Sequence, residues 1–211
     1  LQTNFDRATA TAIVKAKARL ARDPKDTWAQ FLLGLAYQND ASFNASLLHS
    51  WWSSFRQGTR AYRLHAALQE SHPDIIDVRL VTGVYNYVAG SVPWKVRWLA
   101  EILGFHGSTA AGLRDMEAAA SRAALVGDDA RVILALIYTR EKKYDQAFRK
   151  LDELHEKYSR NYLVHLDLAG LQLRMGNAAA AVKSYNDILD KVQRRQLGYE
   201  RLDRSSIYTA L

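Results

Sequence analysis

The 211-residue chain has no cysteine, only 3 prolines, 11 glycines and 2 methionines. The missing cysteines exclude disulfides, thiolate metal sites and cysteine nucleophiles. So few prolines and glycines, with no low-complexity tract, argue against long linkers or disorder. The longest uninterrupted apolar run covers residues 132–138, far short of the ~20 residues a membrane helix needs. Catalytic signatures are missing too. There is no glycine loop ending in Lys-Ser/Thr, no dinucleotide fingerprint and no nucleophile elbow. Gly104-Phe105-His106-Gly107-Ser108 has the spacing of a helix-to-helix turn, without the base and orienter a triad requires. The histidines at 49, 65, 72, 106, 155 and 165 form no zinc-hydrolase pair around a glutamate. No catalytic residue, metal or cofactor is expected.

A net charge of +7 and a pI near 9.6 invite a nucleic-acid reading. The basic residues are interspersed with acids, however. Arg140, Lys142 and Lys143 flank Glu141 and Asp145, and Arg194, Arg195, Arg201 and Arg204 alternate with Asp190, Glu200 and Asp203. Mixed signs of this kind mark solvated helix faces, so nucleic acid is not the expected partner. The chain starts at Leu1 rather than Met. A cleaved signal peptide and simple trimming both account for that. Together with the absent cysteines, this leans toward a bacterial periplasm or envelope, with the cytoplasm left open.

Between Asp128 and Arg195 the sequence repeats with a period of 34 residues. A shift by one period lays Leu134 on Leu168, Ala135 on Ala169, Ala147 on Ala181, Leu151 on Tyr185 and Leu154 on Ile188. This spacing of small and large apolar residues belongs to a helix–turn–helix solenoid, whose units bury their apolar faces by stacking. Helical spacing holds along nearly the whole chain, so the expected fold is all-α. Expected helices cover residues 6–21, one capped by Asp26, 74–88, 94–103, 109–126 with Ser108 as cap, and 199–211. Pro24 and Pro73 end the helices before them, and Pro93 starts one. Residues 41–72 lack a strong breaker, and Gly58 is the expected kink or break between two apolar groups. Gly127 is the expected C-terminal cap of the helix before it. Gly34 is expected to let a neighbouring helix backbone come close.

The two regular units resemble tetratricopeptide repeats. Leu33-Gly34-Leu35-Ala36-Tyr37 is similar to that family's first-helix core. The resemblance implies a right-handed α–α superhelix and a single helical domain. Residues 1–26 would form an N-terminal helix, 27–75 and 76–127 two extended repeats, 128–161 and 162–195 two regular repeats, and 196–211 a terminal helix. The extended repeats carry about 15 and 18 extra residues over the regular period. The second insertion is the more specific. Gly83-Val84-Tyr85-Asn86-Tyr87, Ser91-Val92-Pro93, Gly104-Phe105-His106-Gly107 and Gly112-Leu113 resemble the tetratricopeptide-39 and inclusion-body-clearance family. That likeness covers residues 83–113 and implies a shared helical subtype.

In such folds the first helix of each unit lines the inner face. The implied slots are Trp28, Phe31, Leu35 and Gln38; Asp77, Leu80, Val84 and Tyr87; Asp129, Val132, Leu136 and Thr139; and Leu163, Leu166, Gly170 and Leu173. The family's carboxylate clamp uses Lys, Asn and Arg there, and apolar residues stand in their place. A chaperone-tail clamp is therefore not expected, and slots this apolar should be covered by extra helices or by a partner. The expected function is a non-enzymatic scaffold that binds a protein segment. Trp28, Gln38, Asn39, Asp77, Tyr87, Thr139, Arg140 and Arg174 would be its partner-binding residues. The runner-up is a small-molecule or lipid carrier. It would use an aromatic pocket of Trp51, Trp52, Tyr85, Trp94 and Trp98, although packing of these rings in the core is the other reading of them.

Overall fold

Asp26 and Ser108 show how the helices begin. The Asp26 carboxylate accepts from the Ala29 amide at 2.9 Å, and the Ser108 hydroxyl accepts from Ala111 at 3.3 Å. Each satisfies an amide that the first helical turn leaves without a partner. The computed structural model describes residues 2–93, 106–203, 205 and 207. Among the described residues it is all-α, with nine helices and no strand. These are α1 (Gln2–Arg22), α2 (Thr27–Ser46), α3 (Trp51–Ser71), α4 (Val78–Gly90), α5 (Thr109–Arg122), α6 (Gly127–Arg140), α7 (Tyr144–Lys157), α8 (Tyr162–Arg174) and α9 (Ala178–Gln193). The expected helix over 94–103 lies outside the described residues. The last expected helix has not begun at residues 199–201, which form a turn; Ser205 and Ile207 are helical.

Contacts gather the chain into two compact units, Leu1–Gly127 and Asp128–Leu211. The division falls where the extended repeats give way to the regular ones, inside what the sequence suggests is one domain. Gly127 opens α6 instead of capping α5, whose C-cap is Ala123.

In the first unit, successive helices from α1 to α5 pack in series. Ala16, Leu33, Tyr37, Ala61 and Val81 form a buried core drawn from four helices. The first insertion lengthens a hairpin: α2 and α3 have 20 and 21 residues, against 14 each in α6 and α7. That adds roughly 10 Å of rise to each arm. The break between the arms is at residues 47–50, where His49 takes φ 50°, and α3 runs straight through Gly58. Gly58 is not a break.

Glycines set the α4–α5 contact. A Cβ on Gly112 would lie 2.5 Å from the Tyr87 nitrogen and 2.6 Å from the Gly83 carbonyl oxygen. Both obstacles are backbone, so only hydrogen fits. Gly34 plays a different part from the expected one: a Cβ there would strike the His65 ring at 2.2 Å. It makes room for a side chain.

In the second unit, all five repeat pairs named from the 34-residue shift are buried. Ala169, Ala181, Tyr185, Ile188 and Val192 join Tyr199 and Ile207 in one core. Small residues at Ala147 and Ala181 let the second helix of each repeat sit close, and Leu151/Tyr185 and Leu154/Ile188 fill the remaining space.

Candidate interaction surface

Helices α6 and α8 bury one side and leave the other bare. Leu134, Ala135, Leu168 and Ala169 face inward, while Leu136 is 64% exposed, Leu163 57% and Leu173 50%. Val132 is exposed and Leu166 half-buried. These residues are the inner-face slots implied by the sequence, and each regular repeat presents its own apolar face. Thr139 is half-buried, and Arg140 and Arg174 are exposed in the last turns of α6 and α8. Asp167, on α8, has its carboxyl pushed up by burial, with Arg174 pulling the other way.

The first unit treats its equivalent slots differently. Trp28 stacks on Phe31 at 5.3 Å, and Phe31 stacks on His65 at 5.2 Å, which leaves Phe31 only 1% exposed. The His65 Nε2–H donates to the Phe31 carbonyl at 2.9 Å, and burial pushes the ring's pKa down. Trp28, half out of the unit, caps this stack. Gln38 donates to the Ser42 hydroxyl at 3.2 Å, and Asn39 is exposed.

Asp77 and Tyr87, expected to meet a partner, are both buried. The Asp77 carboxylate accepts from the amides of Ala124, Leu125 and Val126 at 3.2, 2.7 and 3.1 Å. It ties down the turn after α5. Tyr87 lies against the Gly112 backbone. Neither side chain is on a rim.

Of the aromatic residues proposed for one pocket, the three that the structure describes do not gather. Trp51 and Trp52 are 71% and 73% exposed at the start of α3. Tyr85 is half-buried and stacks on Tyr62 at 4.0 Å, roughly 15 Å further along α3. Trp94 and Trp98 lie outside the described residues.

A polar cluster in the second unit gathers two of the histidines weighed and set aside as metal ligands from the sequence. His155 and His165 lie with ring centres 4.5 Å apart. The Tyr199 hydroxyl is hydrogen-bonded to His165 Nδ1 at 2.9 Å and lies 3.3 Å from the Ser159 carbonyl oxygen. Asp187 is 3.7 Å from His165 Nε2 and 2.7 Å from Lys191. Burial, His155 and Lys191 together push His165 down to about 4, against the pull of Asp187. A neutral, hydrogen-bonded histidine of this kind braces the core.

The repeat itself carried the signal. Arg131 pairs with Glu153 at 2.8 Å, and one period later His165 faces Asp187. Asp128, which opens the first regular repeat, accepts from Lys157 at 2.6 Å, from Tyr158 and from Arg131. A cleft of about 390 Å³ is lined by His165, Gln172, Ala180, Lys183, Ser184 and Asp187. Among the described residues no group of three or more His, Asp or Glu side chains is placed to hold a metal ion. No helix there is long and apolar enough to cross a membrane.

Comparisons with curated proteins and with solved structures gave no match. Residues 138–198 match the family model described as tetratricopeptide repeat, over the stretch that holds the three buried repeat pairs shared by α7 and α9. That match supports the tetratricopeptide-repeat superfamily, whose repeats generally mediate protein–protein interaction.

Proposed function

We propose that this protein is a non-enzymatic scaffold that docks an apolar segment of a partner on the open faces of α6 and α8. The observation that carries the reading is the exposure of Leu136, Leu163 and Leu173 on helices whose opposite sides are packed. Single exposed leucines are ordinary on any surface; leucines at the equivalent face of two successive repeats make a recognition surface. Because the slots are apolar, an amphipathic helix or an extended apolar peptide suits them better than an acidic tail. Arg140 and Arg174 lie at the ends of these helices and supply polar rim contacts.

Peptide selection on the immobilised protein tests the proposal. Enriched peptides should space large apolar residues one helical turn apart. Replacing Leu136 and Leu163 with Glu should abolish their binding and leave the circular dichroism spectrum intact. Binding that survives those substitutions would place the partner surface elsewhere.

The carrier reading draws less support, because Trp51 and Trp52 stand in the open. The resemblance of residues 83–113 to the tetratricopeptide-39 and inclusion-body-clearance family reads best as a shared way of packing α4 on α5. Gly83, Gly90, Gly107 and Gly112 support that reading, since a Cβ on any of them would meet the facing segment within 3.0 Å.

A further inference from the structure

The first insertion builds a hairpin tip that the scaffold reading leaves unused. Leu47, Leu48, Trp51 and Trp52 are all exposed there, and Trp52 stacks on Phe55 at 5.9 Å. Such a concentration of large apolar side chains at one end of a hairpin marks an interaction site. Its charge setting is one-sided. Residues 41–69 contain no Asp or Glu, and α3 carries Arg56, Arg60 and Arg63, all exposed. Asp40, the nearest acid on α2, is occupied by Asn44 at 2.9 Å and Gln57 at 2.5 Å.

We propose that this α2–α3 tip seats on an anionic phospholipid surface, with Trp51, Trp52, Leu47 and Leu48 entering the headgroup boundary and the α3 arginines meeting lipid phosphates. Tryptophan suits that boundary because its ring is apolar and its N–H is polar. Arginines beside an apolar tip add electrostatic attraction to anionic lipid. The tip lies on the membrane and does not cross it, since no described helix is long and apolar enough to span. A second copy of the chain is a poorer occupant. Pairing two identical tips would bring the two sets of arginines together. The proposal is independent of the leucine faces on α6 and α8.

The test is co-sedimentation of the 211-residue chain with vesicles of equal phosphatidylglycerol and phosphatidylcholine, against pure phosphatidylcholine. The chain should pellet with the anionic vesicles and stay in solution with the neutral ones. Trp51→Ser with Trp52→Ser should weaken anionic binding about a hundredfold, as losing the burial of two large apolar side chains requires. Arg56→Gln, about 6 Å of helix rise from Trp52, should weaken it about fivefold, and Arg63→Gln, about 16 Å away, by less than about twofold. In the unaltered fold, lipids brominated near the headgroup should quench tryptophan emission. Trp51→Phe with Trp52→Phe should remove most of that quenching while keeping the binding. Failure to pellet with anionic vesicles overturns the proposal, as does undiminished binding by the serine variant. A dimer that the serine variant dissociates, with no vesicle binding, would overturn it in favour of self-association.

Discussion

In Leu1–Gly127 half of the helix positions equivalent to an inner face are buried, whereas in Asp128–Leu211 none is and most are exposed. Phe31 is covered by His65 and Trp28, and Tyr87 is buried where α4 meets α5, while Leu136, Leu163 and Leu173 meet solvent. The two units also cohere by different means. The first relies on special contacts: a glycine pair that brings two backbones together, a carboxylate that collects three amides, and a histidine in the space beside a glycine. The second relies on one side-chain pattern used twice. The irregular repeats cover much of their inner face with their own side chains and expose apolar residues at a hairpin tip instead; the regular repeats expose leucines on the helix faces themselves.

The sharpest way to break this contrast is at Gly112. Gly112→Ala puts a methyl group within 2.6 Å of two backbone atoms, which α4 can relieve only by moving away. The expected cost is about 3 kcal/mol. Hydrogen exchange should show it in residues 78–122, with protection of residues 128–198 unchanged. Equal loss in both units would mean that they do not hold together separately.

Asp77→Ala comes next. It leaves the amides of Ala124, Leu125 and Val126 without their acceptor, at a cost of about 2 kcal/mol. Denaturant titration reads the loss. Asp77→Asn, which keeps one acceptor oxygen, should recover about half of it.

Acid separates the units more gently. His165 is neutral in the folded chain because its pKa is lowered from 6.5 to about 4. The unfolded chain takes up that proton first as pH falls, so the stability of the second unit is full above pH ~6.5 and declines toward pH ~4. His165→Gln should flatten that decline in hydrogen exchange of α8 and α9. The response of the first unit should persist, since it comes from His65, which is buried and also shifted down. A decline that survives in α8 and α9 would point to His155, whose pKa is likewise lowered by burial and by Lys191.

Much of the second unit was legible because its information is periodic. Ala135, Ala147 and their partners one period later announce both the helices and the side that packs. The first unit hides its information in pairs far apart. Nothing near Asp77 shows that its carboxylate serves amides 47 to 49 residues away, and Gly34 gives no hint that the His65 ring needs its space. The hairpin break escaped for a local reason: His49 turns the chain in the left-handed region without a glycine or proline to mark it. The mixed-charge rule drawn from other helices also misdescribes α3. From Arg56 to Arg63 its charge is of one sign.

The smallest expected effect tests how literal the repetition in the second unit is. The turn after α6 has the Lys142 amide donating to Thr139 at 3.1 Å and the Lys143 amide to Tyr138 at 2.8 Å. One period later the Gly176 amide donates to Leu173 at 3.0 Å and Asn177 to Gln172 at 2.9 Å. Both are Schellman ends, with the left-handed residue at φ 58° and 78°. Only the second has the residue that adopts this φ without strain. Lys142→Gly should therefore stabilise the protein by about 0.5–1 kcal/mol, despite the added freedom of the unfolded chain. Gly176→Ala should cost about 1 kcal/mol. A Cβ at Gly176 meets nothing within 4 Å, so its whole cost lies in the backbone. Thermal melts of the two single variants and the double variant should give opposite, additive shifts. If Lys142→Gly proves neutral, the two turns share hydrogen bonds but not strain, and the repetition stops at the helices.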